Sequence, residues 1–432
     1  MNTLRRLPLQ LFALVLASAS ARAAGYALFQ GSARGNVDSA TLIANGGEPG
    51  ALYFNPAAVT GCEGLQTQVG FTMIRPRDSI RTRDPYTGRT HHTEGHRKTW
   101  PIPSAYFTAQ LDDSLWLGLG FYTRFGLGAE LHPEWPGRYN SYYTAVESFD
   151  IAPVLAWKVN DRVSVAGGLT VRYFTIELKQ RIDAVGSVGL RRYNDPAESP
   201  YDVDQVLEGD CVAFGGDLGV IVKASDDVSL GLSYHSRTRL NVSGKAKWTV
   251  PDVVRAYAPG AFQNTDLRAK SYTPDEIMGG VHWRLDDDWS VSAAVIYTLW
   301  SVYDSMSICL DEPMYEDRRV LVSEKAWHDT WRFSLGLGWR VRDDISLYAG
   351  YTFDGSPLNS RTADYFVPAD DRHIVGLGAT WNASEHWTWN FSAFYERVMD
   401  KDVRFNQSTG TLRGKYCDGR AYALAFSCGY KF

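Results

Sequence analysis

The sequence predicts an all-β fold: an antiparallel transmembrane β-barrel of about fourteen strands with an N-terminal hatch, or plug, inside its lumen. Three observations support this prediction. Apolar and polar residues alternate with a period of two, short polar turns alternate with longer loops, and no apolar run after the N-terminus is long enough for a membrane helix. Because every backbone group in lipid needs a partner, such a sheet must close on itself.

The composition suits a membrane barrel and gives no sign of a nucleic-acid partner. The chain has 432 residues and a formal net charge of -5, whereas nucleic-acid binding requires a basic surface. Aromatic residues make up 13% of the chain, with 14 Trp and 24 Tyr, which are the types enriched at membrane–water interfaces. We expect no cofactor and no metal, and we expect a monomer in contact with outer-membrane lipid.

The first residues form an export signal. Arg5 and Arg6 supply positive charge, residues 9–19 form an apolar core, and Ala21-Arg22-Ala23 has the small residues of a cleavage site. We therefore assign residues 1–23 to a signal peptide. An exported chain with barrel strands is expected in the outer membrane of a Gram-negative-type cell.

The period-two pattern is clearest at 331–341, 345–353 and 422–432, where large apolar side chains occupy one face and small or polar ones the other. Lipid outside and a lumen inside would produce this contrast. The predicted strands are 65–75, 100–110, 114–124, 146–158, 163–183, 207–223, 228–248, 272–284, 289–305, 327–341, 345–353, 373–382, 387–404 and 415–432.

The connections between these strands alternate in length. Short connections on one rim and long loops on the other are typical of outer-membrane barrels. The short ones are rich in Asp, Asn or Ser and lie at 112–113, 160–161, 226–227, 286–288, 343–344 and 384–385.

Residues 24–62 do not follow the strand pattern. Glycine and proline interrupt this stretch, and its apolar cluster at 51–54 would need burial. We therefore predict that 24–62 forms the hatch and that 63–432 forms the barrel. The alternative is a loose periplasmic tail.

Five cysteines follow the signal peptide, and this odd number leaves at least one thiol free within a single chain. Cys417 and Cys428 share one predicted strand and are too far apart to form a disulfide. Cys62 and Cys428 are better placed, near the seam between the first and last strands.

Several short motifs occur in order along most of the mature chain. They are Ala24-Gly25-Tyr26, Ser32-Ala33-Arg34-Gly35, Tyr53-Phe54-Asn55-Pro56-Ala57, Phe125-Gly126-Leu127, Trp135-Pro136-Gly137-Arg138-Tyr139, Asp150-Ile151-Ala152-Pro153, Lys158-Val159-Asn160-Asp161, Tyr297-Thr298-Leu299-Trp300-Ser301, Trp331-Arg332, Phe353-Asp354-Gly355-Ser356-Pro357 and Pro368-Ala369-Asp370-Asp371-Arg372. Together these motifs resemble the FadL family of outer-membrane transporters for fatty acids and aromatic hydrocarbons. Arg124, the five cysteines and the loops 184–206 and 249–271 depart from the family pattern, which leaves the substrate open.

The resemblance implies a passive route in three steps. A hydrophobic ligand enters an apolar groove between outer loops, moves to a pocket at the hatch N-terminus, and leaves sideways beside a kink in the third strand. Burial favours such a ligand by about 0.8 kcal/mol per CH₂, which a water-filled pore does not offer. By position, the hatch N-terminus is Ala24, Gly25 and Tyr26, and the hatch corner beside the kinked strand is Asn55, Pro56 and Ala57.

Three further sets of residues are candidates for this route. Each set has a structural alternative: small lumen-facing residues for the kink, loop self-packing for the groove, and an ion pair with Asp329 or another lumen acid for the cations. The kink set is Gly118, Gly120, Phe125 and Gly126. The groove set is Ile182, Ala184, Val185, Val188, Leu190, Val250, Val253, Val254 and Phe262. The candidate cations for a ligand carboxylate are Lys325, His328 and Arg332.

The predicted function is therefore uptake of long-chain fatty acids, with aromatic hydrocarbons as the alternative ligands. An aqueous general porin or a surface adhesin is the alternative class, and a plugged lumen argues against a wide pore. A hydrolytic site at His328 and Asp329 is not expected, because adjacent strand residues point to opposite faces and no nucleophile is ordered against a base. His91, His92, Glu94 and His96 could bind a metal ion. We favour the alternative, a solvated loop, because this stretch is polar and rich in arginine.

Overall fold

The computed structural model describes residues 25–84, 87–184, 200–314, 317–367, 370–406 and 408–432. The predicted signal peptide, Ala24 of the hatch and Val185, Val188 and Leu190 of the groove lie outside these ranges. The strands are β1 Leu65–Arg83, β2 Thr90–Glu94, β3 Trp100–Gln110, β4 Leu115–Tyr122, β5 Gly126–Glu130, β6 Tyr143–Lys158, β7 Val163–Ile182, β8 Val203–Lys223, β9 Val228–His235, β10 Arg239–Thr249, β11 Thr265–Tyr272, β12 Glu276–Arg284, β13 Trp289–Thr298, β14 Ser305–Leu310, β15 Val320–Glu324, β16 Thr330–Arg342, β17 Ile345–Asp354, β18 Arg372–Asn382, β19 Trp387–Val398, β20 Lys401–Val403 and β21 Gly414–Lys431.

These strands form a closed antiparallel barrel, which confirms the predicted fold. Within the described ranges the wall has 14 barrel strands, and β1 pairs with β21 on one side and β3 on the other. Some barrel strands consist of two segments separated by a break, namely β4 with β5, β9 with β10, β11 with β12, β13 with β14 and β15 with β16. The remaining segments, β2 and β20, extend outer loops beside β1 and β21.

Side-chain burial alternates along the strands, as predicted. On β21, Ala423 and Ala425 face the lumen and are buried, whereas Leu424 is 69% exposed on the outside. On β16, Trp331 and Trp339 are likewise exposed. Water-soluble proteins rarely expose apolar patches of this extent, so the outer surface is the one that lipid covers.

The N-terminal segment fills the lumen. It contains the helix Gly35–Ala44 and two 3₁₀ turns, Pro49–Tyr53 and Pro56–Gly61. The helix contacts the half of the wall formed by β9, β12, β13 and β16–β19, and the two turns contact β1, β3, β4 and β6–β8. We call residues 25–62 the hatch. No described helix has the length and apolar character needed to cross a membrane.

The hatch lies against wall positions that have no side chain. A Cβ at Gly350 would collide with the carbonyl oxygen of Val37, and one at Gly231 would collide with that of Ile43. Glycine at these two positions therefore permits the backbone of the hatch helix to approach the wall.

Cys62 and Cys428, the better-placed pair of cysteines, do not form a disulfide. Cys62 is buried on the lumen side, where its carbonyl accepts a hydrogen bond from Trp116 Nε1 at 2.9 Å. Cys428 alternates with the buried Ser427 and so lies on the outward side of β21. The two thiols are separated by the wall, and all five cysteines are free in the part of the chain described.

We predict that Gly350→Ala loosens the hatch without unfolding the barrel. The added methyl group needs a backbone shift of Val37, and such overpacking costs about 1–3 kcal/mol. Hydrogen exchange over residues 35–44 should become faster than in the wild type. The control is Gly279→Ala, whose Cβ meets nothing closer than 3.7 Å. Equal exchange in both variants would contradict close packing of the hatch on Gly350.

Candidate functional site

The third barrel strand is interrupted at 123–125, between β4 and β5. Pairing between β3 and β4 ends at Ser104 and Tyr122. Beyond this point, within the described residues, β5 pairs with β6 alone and the first residues of β3 pair with β1 alone. The wall therefore has a lateral gap between β3 and β5.

Two prolines keep this gap free of strand pairing. Pro101 and Pro103 lie at the start of β3, and neither has an amide hydrogen. The ladder between β1 and β3 continues through both prolines, from Ile74 opposite Trp100 onwards, so their missing donors lie on the side of the gap. Proline in a strand is confined to edges and bulges, so Pro101 and Pro103 are a signal of this edge that the sequence itself contains.

The hatch N-terminus provides hydrogen bonds to the backbone that has left the wall. The amide of Leu28 donates to the carbonyl of Arg124 at 2.8 Å, and the amide of Gly126 donates to that of Tyr26 at 2.9 Å. The backbone amide of Phe125 donates to Ser148 Oγ at 3.0 Å. Buried backbone groups need such partners. The inward position of the break therefore depends on the hatch.

Tyr26 lies in an aromatic cage that three strand breaks supply. Its ring centroid is 5.8 Å from that of Phe125, 4.8 Å from Trp300, 5.9 Å from Tyr303 and 5.9 Å from Trp327. Trp300 and Tyr303 belong to the break between β13 and β14, and Trp327 to the break between β15 and β16. Residues from all three breaks therefore contact Tyr26 at the hatch N-terminus.

Arg124 joins the third-strand break to the hatch and to the opposite wall. Its guanidinium donates to Glu276 Oε2 at 2.8 Å and to the carbonyl oxygen of Tyr53 at 2.6 Å, and it lies over the Tyr53 ring at 4.3 Å. Both charged side chains are almost fully buried. This departure from the family sequence pattern therefore has a structural role in the lumen.

A second buried pair stabilises two other breaks. Arg172 makes a two-pronged contact with Asp150, at 2.8 Å and 2.7 Å. Its Nη1 also donates at 3.0 Å to both Thr238 and Thr273, which lie in the breaks before β10 and β12. Charge-assisted hydrogen bonds are the stronger kind, so this arginine fixes both breaks to β6 and β7.

A cavity of about 440 Å³ lies beside the lateral gap. Ligand-sized pockets usually have volumes of about 300–1,000 Å³. The cavity reaches from the hatch N-terminus to the gap, and its mostly apolar lining includes Ala27, Leu28, Trp100, Ile102, Leu127 and Val146.

A smaller apolar cavity of about 70 Å³ also reaches Tyr26. Its lining includes Leu178, Leu207, Leu267 and Lys325. It is well below the usual size of a ligand pocket, so a ligand can occupy it only if surrounding groups move.

Two of the three candidate carboxylate-binding cations are paired with buried acids. Lys325 forms an ion pair with Asp364, and Arg332 forms one with Asp354 at 2.9 Å. The backbone amide of His328 donates to the carbonyl of Pro357 at 3.1 Å. These pairings are the structural alternative considered for the set. Asp329 is not the partner, since it accepts from Tyr297 Oη at 2.9 Å and from the Ser301 amide at 2.8 Å.

Asn55, Pro56 and Ala57 form a cap in the hatch. Asn55 Oδ1 accepts from the amide of Ala57 at 3.0 Å, which caps the 3₁₀ turn that begins at Pro56. Its Nδ2 donates to the carbonyl of Val220 on β8 at 3.1 Å, because Gly219 leaves space there. The corner therefore contacts β8, and the turn that it begins also contacts β4 of the third strand.

The kink prediction was partly wrong. Phe125 and Gly126 lie at the break, as predicted. Gly118 and Gly120 lie in the unbroken β4, where a Cβ at either would approach Leu52 to within 2.8–2.9 Å. These two glycines make space for the hatch instead of bending the strand.

The described groove candidates do not line one open groove. Ala184, Val254 and Phe262 are buried in a cluster of outer-loop residues, with Ile182 and Val250 packed against it. Val253 is 51% exposed beside them. Loop self-packing, the alternative considered for this set, accounts for the buried members.

The histidine-rich first loop is joined to β5 by a side-chain contact of His96. His96 Nδ1 lies 3.1 Å from Glu130 Oε1, and His91 and His92 are on β2. Among the residues described, no group of three or more side chains is arranged to hold a metal ion.

We predict that Arg124→Met destabilises the protein by about 3–5 kcal/mol, because Glu276 would remain as a buried unpaired charge. Urea unfolding followed by tryptophan fluorescence measures the change. Adding Glu276→Met should recover part of the loss. The control Arg284→Met removes an exposed partner of Asp227 and should change the free energy of unfolding far less, because solvent screens exposed ion pairs. Equal losses for the two arginines would contradict the role given to Arg124.

Comparison with known proteins identifies the family. Residues 14–432 match the model of the outer membrane protein transport protein family (OMPP1/FadL/TodX). The long-chain fatty acid transport protein of Escherichia coli O6:H1 is 22% identical over 442 residues, covering 97% of each chain. A solved FadL homologue of Pseudomonas aeruginosa has a TM-score of 0.81 at 19% identity, covering 95% of this chain and 100% of the other.

The toluene transporter TbuX of Ralstonia pickettii has a TM-score of 0.68 at 14% identity, covering 96% of this chain and 99% of the other. At these identities the structural likenesses establish the fold, and the match to the family model over most of the chain establishes the family. The chain therefore belongs to the OMPP1/FadL/TodX family of outer membrane transport proteins: it is an outer-membrane transporter of hydrophobic compounds and not an enzyme.

Proposed function

We propose that the protein is a passive channel for long-chain fatty acids that releases them sideways through the lateral gap between β3 and β5. The observation that carries the proposal is the position of the 440 Å³ cavity, which connects the hatch N-terminus to this gap. Each buried CH₂ of a ligand is worth about 0.8 kcal/mol, so an apolar path that ends in lipid suits a long acyl chain.

The path begins at the outer loops and passes the small cavity beside Tyr26. Lys325 lines this cavity, with Asp364 as its counter-ion. A cation beside an apolar cavity suits a ligand with a carboxylate head, because the carboxylate can compete for it. A plain aromatic hydrocarbon makes no use of that charge. Fatty acids are therefore favoured over hydrocarbons, which remain the alternative ligands.

The hatch N-terminus is the proposed gate. The small cavity must expand before a ligand fits. Tyr26 lines this cavity, whereas its neighbours Gly25 and Ala27 line the larger one, and Leu127 and Val146 line both. Outward movement of Tyr26 would break its bond with Gly126 and would join the cavities. Binding of an acyl chain in place of the Tyr26 ring compensates for the lost aromatic contacts.

We predict that Pro101→Thr combined with Pro103→Thr reduces oleate uptake about tenfold. The two threonines restore backbone donors on the edge of β3, which favours pairing across the gap. Uptake of radiolabelled oleate by a deletion strain carrying each variant is the measurement. The control Pro153→Thr changes a proline on β6, opposite Leu119, away from the gap. Undiminished uptake by a folded double variant would contradict lateral release.

We predict that the wild-type protein supports growth on oleate and does not make liposomes permeable to sucrose. Deletion of residues 24–57 should abolish oleate uptake and open the lumen to sugars, while heat-modifiable electrophoretic mobility shows a folded barrel. Growth on toluene but not oleate would favour the hydrocarbon alternative. Rapid sucrose flux through the intact protein would favour a general porin.

A further inference from the structure

Three arginines occupy matching positions on adjacent strands of the wall. The register places Arg77 on β1 opposite Arg420 on β21, and Arg420 opposite Arg397 on β19. Side chains directly opposite each other on one face have Cβ atoms about 4.5–5.5 Å apart, and like charges in this arrangement are destabilising. The row therefore needs negative charge close to it.

All three positions lie on the outward face of the barrel. On β21 the buried Ala421 and Ala423 face the lumen, so Arg420 shares its face with the exposed Tyr422. On β1, Arg77 lies an even number of residues from Phe71 and Met73, so it shares the face on which both are exposed. On β19, Arg397 follows the same period as Phe391, which is 47% exposed.

Among the described residues, one arginine of this row has an ion pair. Arg397 Nη2 lies 3.9 Å from Asp400, which is shared with Lys415 at 3.2 Å. Among the described residues neither Arg77 nor Arg420 forms an ion pair, and Arg420 Nε is buried without a hydrogen-bond partner. Asp400 thus serves two cations, and two of the three arginines have no ion pair within the described part of the chain.

The row lies just beyond the outer edge of the apolar belt. Two residues further into the membrane, Tyr395 and Tyr422 face outward with their ring centroids 5.3 Å apart. Such aromatic girdles mark the interface, and two residues along a strand span about 6.6 Å. The row is on the rim with the long loops, which is the outer surface of these barrels. Its height is therefore that of lipid headgroups in the outer leaflet.

We propose that Arg77, Arg397 and Arg420 bind a phosphate group of a phosphorylated glycolipid in the outer leaflet. Arginine is suited to this role because its planar guanidinium forms paired hydrogen bonds with phosphate. The lipid phosphate neutralises the aligned charges, and its acyl chains lie along the outward residues below Tyr422. Arg77 and Arg420 also line the 440 Å³ cavity, so this site adjoins the proposed ligand path. The proposal does not depend on which substrate is carried.

The test is binding of bisphosphorylated lipid A to the purified full chain in detergent, measured by native mass spectrometry. The test variant is R77Q/R397Q/R420Q. The control variant R162Q/R284Q/R342Q removes the same charge from exposed arginines at the rim with the short turns. Dephosphorylated lipid A and inorganic phosphate are the comparison ligands, and R420Q alone is used if the triple variant does not fold.

We expect the wild type and the control variant to bind lipid A alike, and the test variant to bind it at least tenfold more weakly. Dephosphorylated lipid A should bind all three equally weakly. Wild-type affinity in the test variant, or equal affinity of the wild type for dephosphorylated lipid A, would overturn the proposal. Full displacement of lipid A by equimolar inorganic phosphate would show a free-anion site and would overturn it as well.

Discussion

The hydrogen bonds between the hatch N-terminus and the third-strand break are the constraint on which the rest of the structure depends. A strand that leaves the wall of a membrane barrel exposes backbone groups that lipid cannot satisfy, at a cost of several kcal/mol for each group. Here Leu28 and Tyr26 satisfy the groups around Phe125. The same departure separates β5 from β3, and Pro101 and Pro103 prevent the wall from closing there. The plug and the proposed exit are therefore parts of one arrangement.

The lumen holds this arrangement with buried charges and close backbone packing. Arg124 and Arg172 form hydrogen bonds that connect breaks in different strands. A displacement at one break therefore strains the hydrogen bonds at the others. The hatch helix is held differently, by its approach to Gly231 and Gly350 in the wall. The Tyr26 side chain has neither kind of attachment, although the carbonyl of Tyr26 accepts the hydrogen bond from Gly126. The aromatic cage holds Tyr26 by ring contacts, and contacts with an apolar ligand can replace them. Tyr26 is therefore the hatch residue that we expect to move when a ligand binds.

Much of the fold could be predicted because lipid and lumen impose a period of two on every strand. Residues 331–341 and the polar short turns are local features, and the structure places both as expected. The pairing of Arg124 with Glu276, 152 residues away, has no local signature. The positions of the breaks at 299–304 and 325–329 depend equally on what fills the lumen. The glycines at 118 and 120 were assigned to a bend because a sequence does not show which residue packs against a missing side chain.

The most direct test of this account is a reversible lock between the hatch and the break. Ala27 and Phe125 form an isolated antiparallel pair, flanked by the bonds that Leu28 and Gly126 donate. Such non-hydrogen-bonded pairs have Cα atoms about 4.5 Å apart, which a disulfide can span. The account predicts that Ala27→Cys with Phe125→Cys abolishes oleate uptake when oxidised and regains it on reduction, whereas each single variant is insensitive to redox state. Equal uptake by the oxidised and reduced double variant would contradict a gate at the hatch N-terminus.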